Sequence, residues 1–385
     1  MDLKAHIRRR WVESSIKSAS PSFADCFGVV SYNILADCHW NPSDFPYCPE
    51  GSRLMKDRHK QLMVELQHDI NTTDVICLQE VGPEYFVEQL QPALLKLGFF
   101  GSYFKKQHGT QEGEATFYRT QRFHLLEERH VTCTQLIKEA FLEAGLSKDE
   151  IQRLHGHVDK DNVAIYSKLY DTVTGKTLFI GNFHSTFSDY KAIDVTTLQI
   201  TATFQGLCKF AGGVNQPVIL CGDFNQEPHM PGYLVLQDGG PGEESIQYLR
   251  RYHVKEQNSQ DMKRKPTYLI DMARPCFQHS CPSLKSAYKE MKGCEPTFTN
   301  YEDIYGIVWH SNDKQSTSTV KKNACGIYAT DPEKYGTQFF KATLDYQWLL
   351  GFMLITLRSL ITVTELNCSE NYTIFAQTAR SDRWC

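Results

Sequence analysis

The sequence predicts a layered α/β domain, for three reasons. Apolar runs that fit buried strands alternate with segments of helical periodicity, and this alternation is the signature of the class. Several predicted strands end in an amide, a carboxylate or an imidazole, which is where open α/β sheets carry their sites. The chain is also long enough to bury a large core, since 41% of its 385 residues are hydrophobic.

The first strand is followed by a helix. Residues 27–35, FGVVSYNIL, form an apolar run that predicts a strand, and Asn33 is its one amide. Leu62 and Leu66 recur at helical spacing, which predicts a helix over about 56–69 that covers the sheet. Judged alone, Asn33 fits a buried amide satisfied by hydrogen bonds as well as it fits a functional group.

The second strand is predicted at residues 74–78, DVICL, and it delivers Gln79 and Glu80 at its carboxyl end. A second helix is expected from Pro83, with a restart at Pro92, because proline favours the first turn of a helix. A carboxylate therefore stands at this strand tip.

Two more strands, at 98–105 and 115–118, flank the polar turn KKQHGTQEGE. Residues 131–158 have a helical pattern and predict an insert, in which Ser147 and Glu150 are spaced as a capping box.

A hairpin is predicted from residues 162–170 and 177–184, and its second strand ends with Asn182 and His184. A helix over about 191–210 then leads into the central strand.

The central strand, residues 218–222, is rich in Val, Ile and Leu and is followed by Asp223 and Asn225, with Pro228 shortly after. A carboxylate and a carboxamide thus leave one strand tip together, which suits chemistry on a rigid platform. The alternative is a turn in which both side chains only bond their own backbone.

Beyond the central strand the pattern weakens. Residues 239–266 are rich in Gly, Gln and charge and predict a long surface connection, and residues 302–334 predict a loop. Asp345 lies beside an apolar run. The uncharged stretch 348–357 is too short to span a bilayer and predicts a buried strand or helix.

Composition narrows the function classes. The formal net charge of −4 excludes strong non-specific attraction to nucleic acid over the whole surface. A polyanionic substrate would therefore be held by a few cationic side chains and a metal ion. Thirteen cysteines without a C-x-x-C pair indicate reduced thiols inside the cell; the cytoplasm is the expected compartment, with mitochondrion and nucleus as alternatives. Cys276, His279 and Cys281 fit no standard zinc spacing.

The candidate functional residues share a place at or near predicted strand ends. They are Asn33, Glu80, His184, Asp223, Asn225 and Asp345. Oxygen ligands dominate this set, which suits a hard cation such as Mg²⁺, with Mn²⁺ as the alternative ion. Metal-assisted phosphodiester cleavage and a Mg²⁺ or Ca²⁺ binding module without chemistry both fit. The uncharged amides and the imidazole favour cleavage, because a pure ion cage gains little from them.

Seven motifs then occur in the order typical of the endonuclease/exonuclease/phosphatase superfamily. They are SYNILAD (31–37), DVICLQEV (74–81), EGEATFYR (112–119), NFH (182–184), CGDFNQEP (221–228), EPTFTNY (295–301) and LDY (344–346). The chain resembles the branch with carbon-catabolite-repressor-type deadenylases, nocturnin, Angel proteins and 2′,5′-phosphodiesterase. PYC (46–48) and KQH (106–108) most resemble the last.

The resemblance implies a four-layer α/β/β/α sandwich of two mixed sheets, as in deoxyribonuclease I, and a Mg²⁺-dependent 3′-exoribonuclease acting on poly(A) or 2′,5′-oligoadenylate. Glu80 and Asn33 would hold Mg²⁺. Asp223 would position or deprotonate the attacking water, Asn225 would orient it, and His184 would stabilise phosphoryl charge. Asp345 would complete the catalytic set.

Candidate contacts to the RNA substrate are Lys106 and His108 in the basic turn, Tyr118 and Arg119 after it, and Asn182. Solvated surface is the alternative for the basic residues. An Angel-like phosphatase acting on 2′,3′-cyclic RNA ends would share every motif, and a weakly catalytic RNA-binding scaffold is the rival from another class. No membrane segment and no leucine-rich-repeat adaptor arm are expected, and protein partners are left open.

One departure affects the expected activity. The superfamily closes with an SDH motif whose histidine pairs with the aspartate of LDY, whereas the last histidine here is His310 and the only later SD pair is Ser381-Asp382. Impaired turnover and an incomplete final strand are therefore expected. The predicted organisation is a flexible arm (1–25), the catalytic domain (26–350) and an atypical C-terminal segment (351–385).

Overall fold

The structure is a computed structural model. It describes residues 11–13, 26–40, 54–68, 71, 73–187, 191–254, 267–295, 300–304, 322–323, 326–327, 329–330, 338–342, 345–350 and 356–358. For part of these, including 300–304, 338–342 and Asp345, the description covers the backbone alone.

The strands, in chain order, are β1 (Trp11–Glu13), β2 (Val29–Asn33), β3 (Val75–Val81), β4 (Phe99–Lys105), β5 (Gly113–Arg119), β6 (Phe123–Thr132), β7 (Val163–Asp171), β8 (Thr177–His184), β9 (Val218–Asp223), β10 (Lys285–Ser286), β11 (Asn300–Ile304), β12 (Lys322–Asn323), β13 (Gly326–Ile327), β14 (Ala329–Thr330), β15 (Gln338–Ala342), β16 (Asp345–Leu350) and β17 (Thr356–Arg358).

The helices are α1 (Met55–His68), α2 (Pro83–Tyr85), α3 (Gln91–Lys96), α4 (Cys133–Glu143), α5 (Lys148–Val158), α6 (Ile193–Phe210), α7 (Pro231–Asp238), α8 (Glu243–Leu249), α9 (Leu269–Met272) and α10 (Ala287–Lys292). A π-helical turn, Phe86–Leu90, joins α2 to α3, so the helix that restarts at its second proline is continuous. Short 3₁₀ turns lie at Asp37–His39 and Arg274–Phe277. Ser147 and Glu150 form the predicted capping box.

Two mixed sheets form the centre of the molecule. The four-stranded sheet has the order β2-β3-β5-β4, with β2 and β3 parallel and the other pairs antiparallel. The six-stranded sheet has the order β10-β16-β9-β8-β7-β6, in which only β8 and β9 run parallel. Each sheet therefore contains one parallel pair whose carboxyl ends point the same way.

Three hydrophobic clusters separate four layers. One lies between the two sheets and includes Cys77 of β3 and Cys221 of β9. A second packs α1, through Leu62, against the four-stranded sheet. The third packs α4, α6 and α7 against the six-stranded sheet and includes Phe204. The predicted α/β/β/α sandwich is confirmed. Each fully buried hydrophobic side chain in these clusters contributes about 1.5–3 kcal/mol to the stability of the fold.

Two elements differ from the sequence prediction. β6 was not expected, because FHLLEERHVT is charged; it is an edge strand with much of its length exposed, so it needs no apolar alternation. The surface connection predicted over 239–266 is wrong in its first part, where α8 buries Ile246 and Leu249; its residues 255–266 lie outside the description.

The chain's remaining predicted segments are described only in part. In the predicted N-terminal arm, β1 pairs antiparallel with β17. In the predicted loop 302–334, the structure has the end of β11 and the short strands β12 to β14. Of the buried run predicted over 348–357, residues 348–350 belong to β16, where Trp348 is buried, and residues 351–355 lie outside the description. None of the helices in the described ranges is long and apolar enough to cross a bilayer.

Candidate active site

Four strand ends meet at one edge of the sandwich. Asn33 ends β2 in register with Gln79 of β3, and His184 ends β8 in register with Asp223 of β9. Because both parallel pairs present their carboxyl ends here, polar residues 190 positions apart in sequence become neighbours.

The amide of Asn33 joins the two sheets. Its Nδ2 donates to Glu80 Oε1 at 2.8 Å and to Asp223 Oδ2 at 3.0 Å. Its Oδ1 accepts from the backbone N–H of Leu35 at 3.0 Å, and Ala36 N–H donates to the other oxygen of Glu80 at 3.2 Å. Asn33 therefore orients both carboxylates.

Glu80, His184 and Asp223 form a buried cluster whose ligand atoms all lie within 4.8 Å of one another. His184 Nε2 is 3.8 Å from Asp223 Oδ2, and its Nδ1 is 4.0 Å from Glu80 Oε1. Two carboxylates in one buried site repel each other, and a divalent cation would offset that repulsion. The donor set thus fits a hard cation with Glu80 as its ligand.

The backbone around the cluster is strained. Leu35 (φ 53°), Glu80 (φ 57°) and Asn225 (φ 46°) adopt left-handed conformations that cost non-glycine residues of order 1–3 kcal/mol each. Glu80 sits in a register shift between Leu78 and Val81, so it leaves the strand alternation and turns into the site. Such conformations cluster where side-chain placement matters for function.

Gly222 explains why the strand before Asp223 can come so close to β8. Its φ is 155°, and a Cβ there would collide with the backbone carbonyl oxygen of Phe183. Any side chain at this position would push β9 away from β8 and displace Asp223.

Asn225 hydrogen-bonds to Asp223, two residues before it, and to the end of the neighbouring strand β8. Its N–H donates to Asp223 Oδ1 at 2.9 Å, which is the local turn considered as the alternative from sequence. Its amide lies 2.9 Å from His184 Nε2 and 3.0 Å from the carbonyl oxygen of Ser185. The turn and the functional cluster therefore coexist.

Lys106 is the predicted substrate contact that the structure brings to the site. Its buried ammonium lies 2.5 Å from Glu112 Oε1 and 3.2 Å from His184 Nδ1. Burial disfavours its charge, but Glu112, Glu114 and Glu80 outweigh this and raise the pKa of Lys106. An ammonium and an amide NH2 group can only donate, so both ring nitrogens of His184 face donors, Lys106 at Nδ1 and Asn225 at Nε2.

Glu112 and Glu114 were not singled out from the sequence, although both lie in EGEATFYR. Both are fully buried, and neither carboxylate oxygen of Glu114 has a hydrogen-bond partner among the described residues. Desolvation raises the pKa of Glu114 well above its usual range. His39 also reaches Glu112 Oε1 at 3.3 Å, and hydrogen bonds to Cys38 and Glu112 raise the pKa of His39 to about 10.

Asn182 lies between the sheets instead of at the open edge. Its Nδ2 donates to the carbonyl oxygens of Leu78 (3.1 Å) and Ala115 (3.0 Å), and its Oδ1 accepts from Gln79 at 2.7 Å. It is fully buried. These contacts give Asn182 a structural position, and a contact with substrate stays a prediction.

The other predicted substrate contacts lie away from the cluster. Tyr118 packs between the sheets in register with Val75, at the opposite end of β3 from Glu80. Arg119 pairs with Asp74 at 3.2 Å. His108 lies in the loop between β4 and β5, more than half exposed, with Nε2 3.5 Å from Asp159.

Asp345 is described through its backbone, which pairs in register with Asp223. The predicted closing segment, including Ser381-Asp382, lies outside the described residues, and so does part of EPTFTNY. The impaired turnover expected from the absence of the SDH histidine therefore stays a prediction.

The chain is similar to one family of known proteins. A model of the Endonuclease/Exonuclease/phosphatase family matches residues 30–348. The CCR4-Not complex 3′-5′-exoribonuclease subunit Ccr4 of Yarrowia lipolytica is 26% identical over 331 residues, covering 76% of this chain and 43% of the relative. The 2′,5′-phosphodiesterase 12 of Rattus norvegicus is 30% identical over 233 residues, covering 56% of this chain and 36% of the relative.

The chain thus spans less than half the length of these two relatives. Among solved structures, ANGEL2, a 2′,3′-cyclic phosphatase, superposes with a TM-score of 0.61 at 19% identity, covering 93% of this chain and 92% of that one. That likeness concerns the fold.

Proposed function

Because the chain belongs to the endonuclease/exonuclease/phosphatase family, we propose that it is a Mg²⁺-dependent hydrolase of phosphodiester bonds at the 3′ ends of RNA. Poly(A) and 2′,5′-linked oligoadenylate are the proposed substrates, since one relative is a 3′-5′-exoribonuclease subunit and another is a 2′,5′-phosphodiesterase. The observation that carries the proposal is the buried cluster of Glu80, His184 and Asp223 at the junction of the two sheets.

Glu80 is the proposed ligand of the cation. One of its oxygens accepts from Asn33 and the other from Ala36 N–H, so the carboxylate is held in one orientation. When bound, Mg²⁺ or Mn²⁺ would supply positive charge that polarises the phosphoryl group. In the proposed site, Asn33 orients Glu80 and Asp223 through its Nδ2, and its oxygen is the atom that could reach the ion.

Asp223 is the proposed base. Oδ1 accepts from Asn225 N–H and Oδ2 from Asn33, so the carboxylate is fixed but keeps lone pairs for a water molecule. It would take one proton from that water as the water oxygen bonds to phosphorus. The bond between phosphorus and the departing nucleoside oxygen then breaks, and that oxygen takes up a proton to leave as a hydroxyl group.

His184 is the proposed residue that offsets charge on the phosphoryl oxygens. Its Nδ1 faces Lys106, and its Nε2 faces Asn225 and Asp223. The negative charge that develops on the phosphoryl oxygens would meet this imidazole and the charge of Lys106 behind it. Asp345, next to Asp223 in register, remains a candidate member of the set.

The test compares substrates and ions in one experiment. The chain is incubated with 3′,5′-linked oligoadenylate, 2′,5′-linked oligoadenylate and an oligonucleotide ending in a 2′,3′-cyclic phosphate, each with Mg²⁺ and with EDTA. We expect stepwise release of mononucleotides from at least one hydroxyl-ended substrate with Mg²⁺ and none with EDTA. The linkage cleaved faster identifies the preferred substrate.

Two other outcomes would reject the proposal. Phosphate ring opening or removal without shortening of the RNA would indicate a terminal phosphatase. RNA binding with no Mg²⁺-dependent turnover, equally strong in a Glu80→Ala variant, would indicate a scaffold.

A further inference from the structure

Two cysteines meet on the far side of the six-stranded sheet. Cys208 lies near the end of α6, and Cys281 lies in the segment that follows the 3₁₀ turn Arg274–Phe277. Their sulfur atoms are 3.4 Å apart. Cys208 is buried, whereas Cys281 is half-buried and lies outside any helix or strand.

His279 stands beside this pair. Its ring packs edge-on against Phe204, one helical turn before Cys208, at 5.0 Å between centroids. Its Nε2 lies 2.9 Å from the carbonyl oxygen of Val235 and 3.2 Å from that of Leu236. Since carbonyls only accept, Nε2 carries the proton and the buried Nδ1 keeps a lone pair.

Cys281 lies two residues after His279 and has a thiol that can lose its proton. Contacts with Cys208 and then His279 lower the pKa of Cys281. A thiolate, not a thiol, is the nucleophile in cysteine chemistry. Cys281 thus has an adjacent base, partial access to solvent and a second thiol within reach, which is the arrangement of an oxidisable cysteine with a resolving partner.

We propose that Cys208 and Cys281 are a redox modification site that forms a reversible disulfide on exposure to hydrogen peroxide or an organic hydroperoxide. The sulfur atoms must approach from 3.4 Å to the bonding distance of about 2.05 Å. Cys281 can make that movement because its segment belongs to neither sheet.

The chemistry balances in two steps. The Cys281 thiolate attacks one peroxide oxygen, the O–O bond breaks, and sulfenic acid forms. The departing oxygen takes up a proton and leaves as water from hydrogen peroxide or as an alcohol from an organic hydroperoxide. The Cys208 sulfur then attacks the Cys281 sulfur, the S–O bond breaks, and water leaves. In total the two thiols lose two electrons and one peroxide gains them. A dithiol reductant then returns the disulfide to two thiols.

The chain contains a matched control pair. Cys77 and Cys221 lie beside each other between the two sheets, and both are fully buried. They lack the solvent access that Cys281 has, so peroxide should leave them reduced.

The experiment treats the reduced full chain with hydrogen peroxide, blocks the remaining thiols and digests it with trypsin without reductant. We expect a linked species of the peptides 192–209 and 265–285, lighter by two hydrogens than their sum and separated by dithiothreitol. Cys276 lies in the same peptide as Cys281, so fragment ions between the two residues must assign the bond, and a Cys276→Ser variant must still form it.

Two cysteine variants test the order of events, and a histidine variant tests the role of the base. Cys208→Ser should leave Cys281 as a sulfenic acid that dimedone traps, and Cys281→Ser should abolish the linked species. His279→Gln should slow disulfide formation roughly tenfold at neutral pH, since an unassisted thiol is only a few per cent thiolate. A bond to Cys276, equal oxidation of Cys77 and Cys221, or no linked species from the folded chain would overturn the proposal.

Discussion

Asn33 donates a 3.0 Å hydrogen bond to Asp223, which lies 190 residues further along the chain and on the other sheet. The same nitrogen donates at 2.8 Å to Glu80 on its own sheet. Hydrogen bonds to charged groups contribute about 1.5–3 kcal/mol each. One amide therefore fixes the spacing of the two carboxylates on which the proposed reaction depends.

Replacing Glu80 with glutamine should lower kcat/KM by about 100-fold or more, because the neutral amide keeps the shape but loses the charge that would hold the cation. The measurement is turnover of the preferred oligoadenylate over a Mg²⁺ titration. Glu139→Gln is the matched control, since Glu139 pairs with Arg129 on the surface. Equal losses in both variants would contradict the assignment of Glu80.

Asn182→Ala should lower stability by about 2–3 kcal/mol, because it removes the buried hydrogen bonds of Asn182 to two carbonyl oxygens and to the amide of Gln79. Urea unfolding measures this loss. The KM of the folded variant for RNA should stay within about twofold, as expected for a group between the sheets. A large rise in KM with unchanged stability would instead support direct contact with the substrate.

Lys106→Met should destabilise the chain by about 3–5 kcal/mol, since it removes the buried ammonium beside Glu112 and leaves the more exposed His39 to offset that buried charge. The double variant Lys106→Met/Glu112→Gln should recover much of this loss, because it removes both charges. Denaturant unfolding of the two single variants and the double variant gives the coupling energy. Strictly additive losses would show that the two groups do not interact.

The buried carboxyl group of Glu227 should make the stability of the chain depend on pH. Burial raises its pKa to about 8, and its Oε1 has no hydrogen-bond partner among the described residues. The folded chain holds this proton more tightly than the unfolded one, so the contribution is present at pH 4 and is lost as pH rises toward 8. Glu227→Gln, which cannot ionise, should match the wild type near pH 5.

Above pH 8 the same variant should melt several degrees higher than the wild type, because the wild type must bury a charge or unfold to release it. Melting curves of both chains from pH 5 to pH 9 measure the difference. A constant difference over this range would show that Glu227 does not titrate as described.

The sequence was sufficient to predict the residues of the cluster, because Asn33, Glu80, His184 and Asp223 each follow a buried apolar run. It could not separate Asn33 from Asn182, since both are amides near the end of a predicted strand. The direction in which each side chain leaves its strand decides between them, and that direction depends on how the second sheet packs.

Strand direction also decides which part of EGEATFYR reaches the site. β5 runs antiparallel to β3, so Gly113 pairs with Val81 near Glu80, whereas Tyr118 pairs with Val75. At about 3.4 Å per residue, these two positions on β5 are about 17 Å apart. The acidic end of the motif therefore lies at the cluster and its tyrosine and arginine lie at the other end, which the order of letters alone does not reveal.

The residues at the junction of the two sheets are made at different times during synthesis of the chain on the ribosome. Glu80 and Asn33 are translated early, but their partner Asp223 follows Glu80 only after 143 further residues. At roughly 5–20 residues per second, the ribosome needs about 7–30 s to make that stretch. Throughout that interval only part of the proposed ion site has been translated, so the proposed divalent ion would be captured only after β9 has emerged and docked.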